Sequence, residues 1–191
     1  MLAELSPADR HRAVAANFTT AAAQVADWDA PAPVAGWTAR DVVGHLVEWL
    51  PGFLAGGGVE LPAGPPVADD PLLAWQHHAA AVQALLDDPT TAEQPFSHPR
   101  VPPQSLADTL GAFYTADVFM HTWDLARAAG LEAELDPEFC TQLVDGMASI
   151  EQLLRDSGQY GPAVPVPDDA DPQTRLVGFI GRDPDWLPPA R

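Results

Sequence analysis

Apolar residues recur at three- and four-residue intervals along several stretches of this chain, as in Val42, Leu46, Trp49, Leu50 and Phe53, and again in Leu106, Leu110, Phe113, Phe119 and Leu125. That period is helical. Strict alternation of β-branched and aromatic residues is missing, and only Phe96 to Val101 leaves room for a short irregular strand. Start signals agree with the helical period. Ser6-Pro7-Ala8-Asp9, Thr38-Ala39-Arg40-Asp41 and Ser105-Leu106-Ala107-Asp108 each set a hydroxyl three residues before a carboxylate, the layout of a capping box with Asp in place of Glu. Asp70-Pro71, Asp136-Pro137 and Asp171-Pro172 each offer a capping acceptor followed by proline at the first helical position.

Six caps predict six helices, over residues 7–28, 39–55, 71–88, 106–129, 137–157 and 172–181, with Gly56, Gly130 and Gly158 at left-handed C-terminal positions. The proline-rich stretches Leu61 to Pro71, Pro89 to Pro103 and Pro162 to Pro172 read as loops. The expected fold class is all-α, a four-helix bundle with additional short helices and proline-rich loops, built as one domain over 1–191.

Charge narrows the partners. Acidic residues outnumber basic ones 27 to 9, for a formal charge of -18, and every basic residue is arginine. Nucleic acid and anionic membrane surfaces would be repelled. Neither a signal peptide nor a run long enough to span a bilayer is read, so a cytoplasmic protein is expected. Bundles with exposed apolar faces often pair, which makes a homodimer a further expectation. The one cysteine, Cys140, sits among Phe139, Leu143 and Val144 and reads as a buried thiol, not a nucleophile.

One polar strip interrupts the apolar pattern. Asp117, His121 and Asp124 fall at i, i+4 and i+7 in a stretch that otherwise reads as a buried helix, so they share a face. His45 lies two turns into the second helix between apolar residues, with Asp41 and Glu48 one turn away on either side. Asp117, His121 and His45 could make a two-histidine, one-carboxylate set with open coordination positions. The spacing alone favours a salt-bridged core helix in which Asp117 and Asp124 pair with Arg127 or cap other groups. His77 and His78 stand together on the third helix, and His11 and His98 lie in polar contexts, so these four read as surface histidines. Trp37, Trp49, Trp75 and Trp123 read as core or pocket walls.

Thr38 to Leu46 together with Asp117 to Ala128 resemble actinobacterial metal-binding proteins of the DinB superfamily, in particular the metal-binding domain of mycothiol-dependent maleylpyruvate isomerase. The tail from Pro165 to Asp171, leading into Phe179-Ile180-Gly181-Arg182-Asp183-Pro184, resembles the same group. This resemblance implies a four-helix bundle with metal ligands His45, Asp117 and His121, where relatives usually carry His or Glu at the position of Asp117. It implies a divalent metal, zinc by default with nickel, iron or manganese as alternatives, and a low-molecular-weight thiol such as mycothiol as cosubstrate. The implied function is a metal-dependent transferase or isomerase acting on a small electrophile; the alternative is a non-catalytic metal-binding or stress-related bundle. Asp124 is then either an outer acceptor for His121 or a partner of Arg127, and no residue is assigned to an organic cofactor. The isomerase carries a further C-terminal domain, so maleylpyruvate isomerisation itself is not part of what is implied.

Overall fold

All six expected caps form in the computed structural model, which describes residues 1–189 apart from 100, 157 and 159. Ser6, Asp70, Ser105, Asp136 and Asp171 each accept a backbone N–H from the first turn of their helix. Thr38 makes the full reciprocal box, because the Asp41 carboxylate also accepts the Thr38 backbone N–H at 2.8 Å. Each cap contributes about 1 kcal/mol, so together they set boundaries more than overall stability.

Four long helices form the bundle: α1 (Pro7–Ala22), α2 (Ala39–Gly56), α3 (Pro71–Asp87) and the run ending in α6 (Ala116–Ala128). α1 and α2 each pack against both α3 and α6. Consecutive helices α1 and α2 therefore occupy opposite corners, joined by the segment 23–38. The shared core buries Phe18 from α1, Leu46 and Leu50 from α2, Trp75 and Val82 from α3, and Leu125 from α6. The fold is all-α in class, as the apolar period predicts.

Some boundaries differ from expectation. The first helix stops at Ala22, not at 28, and the released segment folds back over the start of α2. There the Ala30 and Trp28 carbonyls accept the Ala39 and Arg40 N–H groups, both at 2.9 Å. Two of the free amides that open every helix are satisfied in this way, which continued helix could not have done. Past α2 the left-handed residue is Gly58 (φ 81°), two positions beyond Gly56, and it closes the helix with a Val59 N–H to Leu54 carbonyl bond. Gly130 and Gly158 are left-handed as expected.

The stretch Pro89 to Pro103 is not a plain loop. It holds a short helix α4 (Pro89–Ala92) and an antiparallel pair, β1 (Pro95–His98) with β2 (Val101–Ser105), whose register shifts between Phe96 and His98. Phe96 is buried against the end of α2 and leaves no room for a Cβ at Gly57. Tertiary packing here outweighs weak local strand propensity. The expected 137–157 helix breaks into α7 (Pro137–Ala148) and α8 (Glu151–Asp156), with residue 157 outside the described residues. α7 packs on α9 (Pro172–Phe179).

The predicted 106–129 helix is continuous but not uniform. A turn of α5 (Leu106–Thr109) passes into a π-helical segment, Leu110–Thr115, before α6 begins. The wider turn offsets the helical period, which is why Phe113 is 40% exposed although its spacing from Leu110 placed it inside. The same offset turns Tyr114 and Thr115 into the bundle, where both are fully buried. Among the described residues, no helix is long and apolar enough to cross a membrane.

Candidate metal centre

α2 and α6 lie side by side, and their polar positions meet. His45, two turns into α2, points Nε2 at Asp117 Oδ2 across a 3.0 Å gap. Trp49, one turn further along α2, donates its indole N–H to the same oxygen at 3.0 Å. His121 Nε2 lies 3.5 Å from the other carboxylate oxygen, Asp117 Oδ1. One donor atom from each of His45, Asp117 and His121 thus falls within 4.8 Å of the other two. Neither Asp41 nor Glu48 is the partner of His45: Asp41 is held in the capping box, and Asp117 takes that place.

The outer side of the cluster is built more rigidly than the inner side. His121 Nδ1 meets Asp124 Oδ2 at 2.8 Å, which leaves Nε2 as the nitrogen turned toward Asp117 and His45. Arg182, just past α9, grips Asp124 with two parallel bonds, Nε to Oδ1 at 3.1 Å and Nη2 to Oδ2 at 3.0 Å. Gly181 (φ 82°) makes this possible, since its left-handed backbone turns the chain so that the Arg182 N–H closes on the Val177 carbonyl. Arg127 does not pair with Asp124; it reaches Glu132 and the Trp186 carbonyl instead. Of the two partners that spacing offered Asp124, His121 and Arg127, it meets His121, and its cation is supplied by a residue 58 positions away.

Exposure is graded across the group. Asp124 is fully buried and the His121 side chain 7% exposed, while Asp117 is 20% and His45 33% exposed, so the cluster opens on the His45 side. Trp37 stacks on His121 at 5.8 Å and tilts against His45 at 5.2 Å, forming one wall. Trp49 forms another, 6.4 Å from His45.

The electrostatics follow from this packing. Burial pushes the Asp117 carboxyl toward protonation, but the His121 charge, the His45 contact and the Trp49 N–H outweigh it and hold its pKa below the usual carboxylate value. Burial likewise opposes charge on His121, and the carboxylates of Asp117 and Asp124 reverse that and raise its pKa. Asp124, also opposed by burial, is held low by His121 and Arg182. Two imidazoles and a carboxylate converging from two helices, one imidazole oriented by an outer carboxylate, form a donor set that suits a divalent ion with open positions.

Residues 10–126 match the family of the mycothiol maleylpyruvate isomerase N-terminal domain. The chain belongs to this family. An uncharacterized protein of Mycobacterium tuberculosis, found in strains CDC 1551 and H37Rv, is 31% identical over 157 residues, 80% of this chain and 83% of the relative. No solved structure shows a significant match. The matched region contains His45, Asp117 and His121, whereas Arg182 lies beyond it.

The remaining histidines divide differently from expectation. His77 is exposed, but His11 and His78 are buried, and His98 is half-buried with its ring 4.6 Å from Phe53. None of the four joins the candidate centre. Cys140 is buried, as expected, and burial pushes its thiol up to about 12. Arg182 is the member of this chain of contacts that spacing missed. Its signal was a lone arginine directly after a glycine at a helix end, in a chain poor in cations.

Proposed function

We propose that this protein binds a divalent metal, zinc by default, through His45, Asp117 and His121, and uses it to activate a low-molecular-weight thiol of the mycothiol class for attack on a small electrophile. The observation that carries this reading is the convergence of three donor atoms within 4.8 Å on the open side of a buried, oriented imidazole. Membership of a mycothiol isomerase family supports the thiol half of the reading.

When bound, a divalent ion would supply positive charge that lowers the pKa of a coordinated thiol toward neutrality. The chain's own residues do the rest. His45 and His121 offer neutral nitrogens and Asp117 an anionic oxygen, so the set keeps one negative charge to offset the ion. Asp124 holds the His121 ring in orientation and Arg182 holds Asp124, which fixes which nitrogen faces inward. Trp37 and Trp49 shield two sides from water and leave the one-third-exposed His45 edge for a thiol and an electrophile to enter. A nucleophilic protein cysteine is not needed, in keeping with the burial of Cys140.

The test has two stages. Tag-free protein purified without chelator is analysed for metal, and about one equivalent is expected, with less than about a tenth of that in His45→Ala. Bound metal below that level in the parent protein would end the metal reading. The loaded protein is then given mycothiol or a surrogate thiol with a panel of electrophiles. Metal-dependent loss of thiol and electrophile is expected; metal binding without turnover would leave a non-catalytic metal-binding bundle.

A further inference from the structure

A second set of polar side chains is enclosed in the bundle, away from the His45, Asp117 and His121 donors. His11 of α1 and His78 of α3 flank the ring of Tyr114, with centroid separations of 5.8 and 5.6 Å. Relative exposure is 0% for His11, 4% for His78 and 0% for Tyr114. His11 Nδ1 pairs with Thr115 Oγ1 at 3.2 Å. Of four buried side-chain atoms without a hydrogen-bond partner among the described residues, three belong to this set, His11 Nε2, His78 Nε2 and Tyr114 Oη, and the fourth is Gln83 Oε1.

Three such atoms are expensive. Each unpaired buried polar atom costs about 1–3 kcal/mol, so three would consume a large share of a stability of about 5–15 kcal/mol. A polar guest removes that cost, and charge decides which kind. Burial pushes both imidazoles down to about 4, with the His78 charge adding to the effect at His11 and the His77 charge at His78, so both rings are neutral near pH 7. The Ala79 carbonyl draws His11 slightly back without completing a hydrogen bond. A divalent cation held by two neutral rings and a phenol would leave its charge uncompensated in the core, and the one cation that acts on His11, Arg12, is exposed and already paired with Asp9 and Asp87, which leaves an anion without a partner. Asp87, which acts on His11 from a distance, is exposed and engaged by Arg12 and Gln83.

A neutral molecule that both donates and accepts meets every requirement. Each Nε2 is a donor or an acceptor according to tautomer, the phenol is both, and water can match any combination with its two donors and two acceptors. Internal waters typically make about three hydrogen bonds, the number of unpaired atoms here. We propose that His11, His78 and Tyr114 form a closed internal binding site for a single water molecule, which ties α1 and α3 to the π-helical turn Leu110–Thr115. The site braces the turn from which α6 starts. Tyr114 also packs against Trp49 at 5.8 Å, whose N–H holds Asp117, so the water lies one aromatic contact away from the metal donors.

A high-resolution crystal structure of the full chain, with anomalous data collected at the zinc edge, tests this directly. One ordered, non-anomalous peak within hydrogen-bond reach of His11 Nε2, His78 Nε2 and Tyr114 Oη is expected. A dry site in which these atoms bond one another or the Ala79 carbonyl, or an anomalous scatterer between them, would overturn the proposal. In solution, oxygen-17 relaxation dispersion is expected to show one fewer long-lived water in the Tyr114→Phe, His78→Leu double variant than in the parent. An unchanged count would also overturn it. Because neither readout needs metal at His45, failure here is separable from failure of the proposed function.

Discussion

Arg182 holds both carboxylate oxygens of Asp124, at 3.1 and 3.0 Å, and Asp124 in turn holds His121. A buried anion lies between two partners that reach it from opposite directions in the chain. Removing one partner of such a buried pair strands the other charge, at a cost of about 3–5 kcal/mol. Arg182→Leu is therefore expected to lower stability by that amount in urea unfolding. Arg182→Lys, which cannot form two parallel bonds, is expected to recover only part of the loss.

The same chain of contacts predicts an effect on metal. Loss of an outer carboxylate typically weakens metal affinity about 10–100-fold. Asp124→Asn is expected to weaken zinc binding by that factor in competition with a chromophoric chelator, while His45→Ala removes a donor and abolishes stoichiometric binding. His45→Ala is expected to leave the fold intact by circular dichroism, because its side chain is one-third exposed.

Acid is expected to destabilise the fold over a defined window. His11 and His78 titrate near 4 in the folded chain against 6.5 when unfolded, so between these values the unfolded state binds more protons. Their contribution is complete above pH 6.5 and disappears as pH falls toward 4, by about 3 kcal/mol for each histidine at most. His121 acts in the opposite sense: its raised pKa favours the fold below 6.5 and that contribution is lost as pH rises through the folded value. Comparing urea unfolding of the parent with His11→Gln and His78→Gln across this window isolates the two buried rings. Each variant is expected to flatten the slope; an unchanged slope would refute their assignment.

Cys140 is expected to be inert while the chain is folded. With its thiol pushed up to about 12 and its side chain buried, thiolate is scarce near neutral pH. A thiol reagent at pH 8 should label the denatured protein within minutes and the native protein only at the rate of global unfolding.

Gly178 sets the position of the segment that carries Arg182. A Cβ there would lie 2.7 Å from the Val164 carbonyl oxygen and 2.8 Å from Val166 Cγ1, against a strand of backbone bonded to α9 through Val164 N–H and Gly178 O. Gly178→Ala is expected to cost about 1–3 kcal/mol through this overlap, measured as a lower midpoint of thermal unfolding.

What could be read from the chain was local. Caps at Ser6, Thr38, Asp70, Ser105, Asp136 and Asp171, and the helical spacing of Val42, Leu46 and Leu50, depend on neighbours within a few residues, and each forms. The pairing of Asp117 with His121 on one face is equally local, since helix geometry alone puts i and i+4 together. Spacing allowed His45 as a third member of this set, and the resemblance gave that choice its weight over a salt-bridged core helix.

The partners of buried charges were not local. Asp124 could have met Arg127 three residues away or Arg182 58 residues away, and only the turn at Gly181 and the packing of α9 select the second. The burial of His11 and His78 is likewise tertiary, since α1 and α3 pack these rings against Tyr114 and Thr115 of the π-helical turn. The sequence by itself determined six helix starts and two donors on one face, because these rest on short-range sterics and capping. Which helix faces which, and therefore which charge neutralises which, was decided only in the tertiary structure, where the cost of a buried charge depends on partners brought together from distant parts of the chain.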